Sequence, residues 1–303
     1  MGQNCYLENS TGLINNSNIN NLKIACGVNL YFNPFKFTLS NGYAGPAPFS
    51  CGDNLSYENE SYPTTLIGSQ CWMAKNLNIG TKIDSNNSEP LCHNPSAPLY
   101  LNWSCQTDNN LIEKYCYSNN NANCLNNGGL YEWAEALGLP YDCNSAGSVN
   151  NGNGTYTISC PTSGSYTIGN QTRGICPTGW HIPSISEWQS LAQLSQSSCE
   201  IRCDLGNICS CTEAGEKLKA KADQTPIAWD GTDIYNFTLL PSGFRNGDGS
   251  FYDYGSYAVL WTSAPSSENA GLGMFTGVKS TLKNIKTDRD VRTDGLSVRC
   301  IKD

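Results

Sequence analysis

The chain contains little histidine, few basic residues and no long apolar run. Only His93 and His181 occur in 303 residues, so a site with three histidine ligands, or with two on one helical face, cannot form. Lys and Arg total 18 against 26 Asp and Glu, and the formal charge is −8. Because phosphate binding requires a basic face, we expect no nucleic-acid partner. No apolar stretch approaches the length of a membrane span, which predicts no transmembrane segment.

Cysteine, in contrast, is abundant. The chain has 16 cysteines, an even number that permits pairing throughout. Disulfides persist in oxidising compartments, and each contributes about 2–4 kcal/mol by restricting the unfolded chain. We therefore expect an exported protein, extracellular or at the cell surface. Met1–Cys5 lacks the basic and apolar regions of a signal peptide, and we interpret the methionine as joined to a mature or truncated sequence.

Metal binding is the alternative use of these cysteines. Four of them lie close together, at Cys199, Cys203, Cys209 and Cys211, with three, five and one residues between them. Structural zinc sites use paired cysteines with two intervening residues. The spacing therefore favours disulfides in a surface insertion, and we predict no metal and no other cofactor.

The chain divides into two predicted regions. Residues 1–61 are rich in Asn, Gly and aromatic side chains, and we interpret them as a β-rich N-terminal extension. Residues 62–303 follow an α+β pattern, which begins with two strands, 65–67 and 70–73, around a Gly68-Ser69 turn. Later strands are predicted at 258–263, 272–275 and 297–301.

Apolar spacing and capping residues predict the helices. One helix carries an apolar face formed by Leu130, Trp133, Ala134 and Leu137. Its Glu132 and Glu135 are interpreted as the solvated face. A second helix begins at the capping box Ser184-Ile-Ser-Glu187 and buries Ile185, Trp188 and Leu191. A third, short helix is predicted over 212–221, with a solvated face of Lys217, Lys219 and Lys221.

Two long segments, 84–126 and 143–172, are so rich in Asn, Gly and Ser that we predict loops. Local disulfides would offset the entropy of ordering them. The cysteines available for this are Cys92, Cys105, Cys116, Cys124, Cys143 and Cys160.

Four motifs resemble one bacterial family. They are Ile67–Leu77, Gly129–Ala134, Cys176–Trp188 and Gly295–Asp303. In this order they are similar to the Fibrobacter succinogenes major paralogous domain, a secreted module with a C-type-lectin-like fold. The resemblance implies two main helices, a mostly antiparallel sheet, and a last strand that returns beside Cys176. It also implies a disulfide between Cys176 and Cys300.

Enzymatic functions find little support in the sequence. A Ser or Cys nucleophile needs a histidine base, and both histidines are interpreted as structural. Formylglycine-generating enzymes share the broad fold class, yet nothing distinguishes a reactive cysteine pair. Calcium-dependent lectins use Glu-Pro-Asn and Trp-Asn-Asp motifs, whereas this chain has Glu89-Pro90-Leu91 and Trp229-Asp230-Gly231. We predict that the protein is not an enzyme; a glycan hydrolase with paired carboxylates is the remote alternative.

Recognition is assigned to the C-terminal third, in loops around residues 246–259 and 264–292. Tyrosine alternates there with Asp, Ser and Gly, and tyrosine gives large contact area at low entropic cost. The residues predicted to bind a ligand are Asp253, Tyr254, Ser256, Tyr257, Val259 and Trp261, followed by Met274, Phe275, Asp288, Arg289 and Asp290. The alternatives are that the tyrosines pack on a half-buried sheet and that Trp261 belongs to the framework.

The same segment resembles the variable region of proteins diversified by retroelements. Such variation at adenines converts Asn codons to codons for Asp, Ser and Tyr, the residue types found here at six positions. These are Asp253, Tyr254, Ser256, Tyr257, Asp288 and Asp290. We therefore predict an exported binding or adhesion module for a protein or glycan on another cell or surface. The alternative is a structural subunit of a pilus, fibre or surface layer.

Overall fold

The computed structural model of this chain describes residues 49–85, 106–202, 210–224 and 229–303. Cys51–Asp303 form one compact unit. Most of the predicted extension, residues 1–48, lies outside the described residues, so its β-rich character stays a prediction. His93, Cys92, Cys105, Cys203 and Cys209 also lie outside them.

The described residues fold as α+β, with few and short helices. The α-helices are Asn121–Asn127 (α1), Trp133–Leu137 (α2), Ile185–Gln193 (α3) and Ala214–Leu218 (α4). The strands are Leu55–Tyr57 (β1), Glu60–Tyr62 (β2), Thr64–Ile67 (β3), Gln70–Met73 (β4), Thr81–Ile83 (β5), Glu113–Tyr115 (β6), Gly147–Asn150 (β7), Thr155–Cys160 (β8), Gly164–Gly169 (β9), Trp180–His181 (β10), Phe244–Arg245 (β11), Phe251–Tyr252 (β12), Tyr257–Pro265 (β13), Leu272–Lys279 (β14), Lys286–Val291 (β15) and Ile301–Lys302 (β16).

The sheets are mostly antiparallel, as the sequence predicts. The largest has the strand order β10-β16-β4-β3, and two further sheets have the orders β13-β14-β15 and β7-β8-β9. Two hairpins, β1-β2 and β11-β12, stand apart. The pair β5-β6 is parallel. The hairpin β11-β12 carries the candidate site.

The end of the chain returns beside the segment that precedes α3. Strand β16 pairs with β10, where Trp180 lies opposite Lys302, and with β4, where Ile301 lies opposite Trp72. The Cys176–Cys300 disulfide closes this arrangement, as the family resemblance implies. The other disulfides among the described residues are Cys51–Cys71, Cys116–Cys124, Cys143–Cys160 and Cys199–Cys211.

The predicted helix α3 is confirmed together with its cap. Ser184 accepts a hydrogen bond from the Glu187 amide, and the Glu187 carboxylate accepts one from the Ser184 amide at 2.8 Å. Ile185, Trp188 and Leu191 are buried on one face. Trp188 packs on Trp72 with ring centroids 4.8 Å apart, and both rings contact Phe237. The core therefore lies between α3 and the β10-β16-β4-β3 sheet.

Arg299, in the C-terminal motif, is fully buried in this core. Its guanidinium lies over the Phe237 ring at 4.4 Å and donates hydrogen bonds to the Asn76 side chain and to the Phe237 and Thr238 carbonyls. Burial lowers the pKa of Arg299 to about 9. The flat, five-donor group thus satisfies carbonyls from two segments at once, a geometry that lysine lacks.

The prediction of loops over 84–126 and 143–172 is wrong in two places. Strands β7, β8 and β9 form an antiparallel meander within the second segment. Ile158 and Ile168 are buried there and anchor these otherwise polar strands. Because apolar residues are so few in this segment, their alternation with polar residues is too weak to predict the strands from the sequence. The first segment contains β6 and α1. Local disulfides are present in both segments, as predicted, and the structure supplies their pairing: Cys116–Cys124 and Cys143–Cys160.

Four smaller predictions also need correction. Leu130 precedes α2 and forms a bridge with Tyr115 instead of joining the helix. The third helix spans only Ala214–Leu218, and the last strand only Ile301–Lys302. Lys219 is fully buried because its ammonium donates to Asp230 and to two backbone carbonyls and lies 4.8 Å from the Trp229 ring centroid.

Candidate binding surface

Five aromatic side chains form two contact groups at the β11-β12 hairpin. Tyr117 lies 5.1 Å from Phe251 and 4.6 Å from Tyr254, measured between ring centroids, and Phe244 lies 5.8 Å from Tyr252. Tyr252 is 46% exposed, and the other four rings are partly exposed. We call these five residues the aromatic surface. Exposed aromatic clusters of this kind are typical of interaction sites.

Tyr117 joins the surface through a local disulfide. It begins a 3-10 turn, Tyr117–Asn119, directly after Cys116, whose partner Cys124 lies in α1. The Tyr254 hydroxyl donates a hydrogen bond to the Asn123 side chain at 2.9 Å, and the Asn123 amide donates to the Tyr117 carbonyl at 2.9 Å. The disulfide and the Asn123–Tyr117 hydrogen bond close a local loop, and the Tyr254–Asn123 hydrogen bond ties this loop to the distant hairpin.

The backbone of the hairpin requires glycine at its base. Gly243 has φ +62°, and a Cβ there would lie 2.4 Å from the Tyr252 carbonyl oxygen and 2.9 Å from the Tyr117 ring. A side chain would therefore push the aromatic rings apart. Directly after β12, the Asp253 carbonyl accepts hydrogen bonds from the Ser256 and Tyr257 amides. Asp253 itself is exposed and has φ 61°.

Arg245 anchors the hairpin from inside. Its side chain is buried, lies over the Tyr115 ring at 4.2 Å, and donates to the Ser85 hydroxyl and the Thr293 carbonyl. The Ser85 hydroxyl in turn donates to the Gly249 carbonyl at 2.8 Å, in the turn of the hairpin. Because each contact comes from a different segment, Arg245 fixes the hairpin to the body of the domain.

Glu132 is the buried acidic partner in this network. Its carboxylate lies 3.9 Å from the Arg245 guanidinium and accepts hydrogen bonds from the Tyr115 hydroxyl at 2.8 Å and the Asn144 amide at 2.9 Å. Burial raises the pKa of Glu132 to about 7, although Arg245 opposes the shift. The interpretation of Glu132 as a solvated residue is therefore wrong.

Glu135 also departs from the solvated face that the sequence suggested. It is partly buried, and its carboxylate accepts a hydrogen bond from the Glu113 amide at 3.0 Å. Burial raises the pKa of Glu135 to about 7, with the Glu113 carboxylate adding to the effect. Helical periodicity could not reveal this, since β6 approaches the helix from a distant part of the sequence.

The structure separates the first predicted set of ligand-binding residues. Asp253, Tyr254 and Ser256 are exposed or partly exposed, and Tyr254 belongs to the aromatic surface. Tyr257, Val259 and Trp261 are buried, as every residue of β13 is. The Trp261 indole donates to the Tyr131 carbonyl at 2.7 Å, inside the domain. We therefore remove these three residues from the candidate site, and Trp261 takes the framework alternative.

The second predicted set lies on β14 and β15. Phe275 is buried and packs against Tyr257, so it is removed for the same reason. Met274 is partly exposed and lies opposite Arg289 across the strand pair. Arg289 pairs with Glu268 at 2.6 Å. The remaining members are Asp288, which pairs with Lys286 at 2.6 Å, and the partly exposed Asp290. Asp288 and Arg289 are therefore engaged in ion pairs with neighbouring side chains.

Sequence reasoning missed four members of the aromatic surface. Phe244, Phe251 and Tyr252 lie in the tyrosine-rich segment but were not selected, and Tyr117 lies far from it in the sequence. The closely spaced pair Cys116 and Cys124 was the one available signal for Tyr117, because a short disulfide loop fixes the residues inside it.

The remaining candidates for chemistry have structural partners. The His181 ring nitrogens bond to Glu187 at 2.8 Å and to Asp303 at 2.7 Å. Asp142 lies beside Cys143 and Cys160, but these cysteines form a disulfide and Asp142 accepts hydrogen bonds from Thr162 and Ser163. Cys199 and Cys211 form a disulfide, in agreement with the prediction of disulfides in their cysteine cluster.

The sequence matches a model of the Fibrobacter succinogenes major domain over residues 66–302. The chain belongs to this family. No curated protein and no solved structure matches the chain. Among the described residues of this family member, no helix has the length and apolar character needed to cross a membrane.

Proposed function

We propose that this member of the Fibrobacter succinogenes major domain family is an exported binding or adhesion module that recognises a protein through the aromatic surface. The observation that supports this proposal is that an internally anchored hairpin carries two groups of partly exposed aromatic rings, Tyr117 with Phe251 and Tyr254, and Phe244 with Tyr252. Tyrosine and phenylalanine are enriched at the centres of protein interfaces, where charged residues are depleted.

Preorganisation strengthens the proposal. Binding loses free energy when loops and side chains must be ordered, at about 0.5–1.5 kcal/mol per immobilised side chain. Here the Cys116–Cys124 disulfide, the Tyr254–Asn123 hydrogen bond and the buried Arg245 restrict these groups before a partner arrives. Less free energy should therefore be lost to ordering these side chains on binding, and the affinity should be correspondingly higher.

The charge around the aromatic surface points to a basic partner. Asp248, in the hairpin turn, and Asp253, which follows β12, are both exposed. Carboxylates at the rim of an interface steer oppositely charged partners and accelerate association. We expect association with a protein surface that carries Lys or Arg around an apolar patch, and the association rate should fall as salt concentration rises.

Alanine replacement at the aromatic surface tests this function. An array of bacterial and host surface proteins is probed with the oxidised chain, with Tyr252→Ala and Tyr254→Ala variants, and with Tyr166→Ala as control. Tyr166 is a partly exposed tyrosine of β9, outside the aromatic surface. We expect each surface variant to lose about 2 kcal/mol, or about 30-fold in affinity, because aromatic hot spots lose this much on truncation.

Three outcomes would contradict the function. Equal loss in Tyr166→Ala would mean that the surface is not the site. Binding to glycans alone would replace the protein partner with a carbohydrate. Self-association alone, abolished by removal of residues 1–61, would favour the structural subunit of a pilus, fibre or surface layer.

The finer classification belongs to the same proposal. The paired terminal strands, helices α2 and α3 and the Cys176–Cys300 disulfide support a C-type-lectin-like fold. The five disulfides among the described residues support an oxidising, extracellular location. A crystal structure that fails to superpose on C-type lectins would contradict the first assignment, and reduced thiols in the native protein would contradict the second.

Retroelement diversification is the further part of the proposal. Asp253, Tyr254, Ser256, Asp288 and Asp290 are at least partly exposed, which suits positions that vary, whereas Tyr257 is buried. Sequencing of the chromosomal neighbourhood tests the idea. A reverse transcriptase gene with a near-copy template repeat is expected, and the absence of both would contradict it.

A further inference from the structure

An open groove of about 640 Å³ lies between the β8-β9 meander and the start of α3. These elements carry no member of the aromatic surface. The groove wall is formed by the turn before β8, by the end of β9 with residues 170–172, and by residues 184–187. Its volume falls within the range of ligand-binding clefts, about 300–1,000 Å³.

Most residues that line the groove have polar, uncharged side chains. The lining consists of Asn and Gln amides, Thr and Ser hydroxyls and glycine, with Ile168 as the one aliphatic side chain and Glu187 as the one charged residue among those that line the groove. The lining contains no aromatic ring and no Lys or Arg. A flat apolar ligand would therefore find no aromatic ring on which to stack. An anion would find no positively charged side chain.

Several lining groups keep unused hydrogen-bonding capacity. Thr167, Asn170 and Gln171 are exposed, and their side chains form no hydrogen bond with another described residue. Gly154, in the turn before β8, has φ +77°, and a Cβ there would lie 2.7 Å from the Asn170 amide nitrogen. Glycine at this position thus leaves space for the Asn170 amide at the edge of the groove.

Glu187 provides a fixed acceptor at the opposite side. One carboxylate oxygen bonds to His181 at 2.8 Å, and the other accepts from the Ser184 amide and hydroxyl, each at 2.8 Å. His181 is held from behind by Asp303 at 2.7 Å. Burial alone would raise the pKa of Glu187, but the hydrogen bonds from His181 and Ser184 outweigh it and lower the pKa. The carboxylate is therefore ionised at neutral pH and held in place.

We infer that this groove binds a neutral oligosaccharide. Sugar hydroxyls both donate and accept, and amide side chains supply both functions, as Asn170 and Gln171 do from one wall. Glu187 would accept from a sugar hydroxyl on the other wall, since a charged acceptor forms the stronger hydrogen bond. A negatively charged sugar would be repelled by the same carboxylate.

The inference is tested by calorimetric titration of the intact, oxidised chain. The probes are neutral oligosaccharides built from glucose, galactose or mannose, with uronic-acid and sialylated oligosaccharides as the charged comparison. We expect binding of at least one neutral probe, and weakening of at least about 10-fold in Asn170→Ala/Gln171→Ala, since the variant loses the hydrogen bonds of both amides. Thr167→Val, which keeps the shape and removes the hydroxyl, should weaken the same probe.

Matched controls separate this groove from the aromatic surface. Asn269→Ala removes an exposed amide that does not line the groove, and Tyr254→Ala changes the aromatic surface; both should bind the sugar normally. Failure of every neutral probe to bind, stronger binding of acidic probes, or unchanged binding in the Asn170 and Gln171 variants would overturn the inference. Loss of sugar binding in Tyr254→Ala would move the sugar to the aromatic surface and would also overturn it.

Discussion

Replacement of Glu132 by Gln should change how the stability of the domain depends on pH. The side chain is fully buried, and burial raises its pKa from the ordinary value of 4.5 to about 7. The folded state therefore holds a proton that the unfolded state releases between these two pH values. Stabilisation by this group is fully present below about pH 4.5 and is lost as the pH rises through about 7.

The size of the effect follows from the two pKa values. One pKa unit corresponds to about 1.4 kcal/mol, so a rise from 4.5 to about 7 makes the folded domain about 3 kcal/mol less stable at high pH than at low pH. Glu132→Gln removes the titrating group and keeps an oxygen to accept from the Tyr115 hydroxyl. The free energy of unfolding of the variant should therefore fall by about 3 kcal/mol less than that of the natural protein between about pH 4.5 and about pH 8.

Urea denaturation of the oxidised protein at the two pH values measures this difference. Burial also raises the pKa of Glu135 and of Asp294, but both titrate in the natural protein and in the variant, so their contributions cancel in the comparison. Glu58→Gln, at an exposed carboxylate, is the matched control and should follow the natural protein. Identical pH dependence in Glu132→Gln and in the natural protein would refute the reasoning.

Two further predictions concern the scaffold. Gly243→Ala should lower the free energy of unfolding by about 1–3 kcal/mol, because φ is +62° and the new Cβ would lie 2.4 Å from a carbonyl oxygen; an unchanged melting temperature would contradict this. Replacing Cys176 and Cys300 together by Ser should cost about 5 kcal/mol, because the disulfide closes a sequence separation of 124 residues. Denaturation of the two forms measures the difference, and a loss below about 1 kcal/mol would show that the unfolded chain is not restricted in this way.

Local signals in the sequence predicted part of the fold. The Ser184–Glu187 capping box fixed the start of α3, and the Gly68-Ser69 turn predicted the β3-β4 hairpin. Each depends on residues close in the sequence, where spacing and capping chemistry act directly. The Cys176–Cys300 disulfide joins residues far apart, and the family resemblance was needed to anticipate it.

Long-range packing explains what the sequence did not reveal. Glu132 is buried because Tyr115, Asn144 and Arg245 reach it from three other segments. Tyr117 and Tyr254 meet only after folding. The burial of Val259 and Trp261 has a local signal, because Tyr257–Trp261 is a continuous apolar run, which is typical of a strand buried on both faces.

Hydrogen exchange is the most direct measurement of the central claim, that a protein partner contacts the aromatic surface. The oxidised chain is compared alone and with the surface protein that it binds on the array. We predict slowed exchange of amides in residues 244–256 and 116–124, the segments that carry the aromatic rings. Protection confined to other segments, with these two unchanged, would contradict the account.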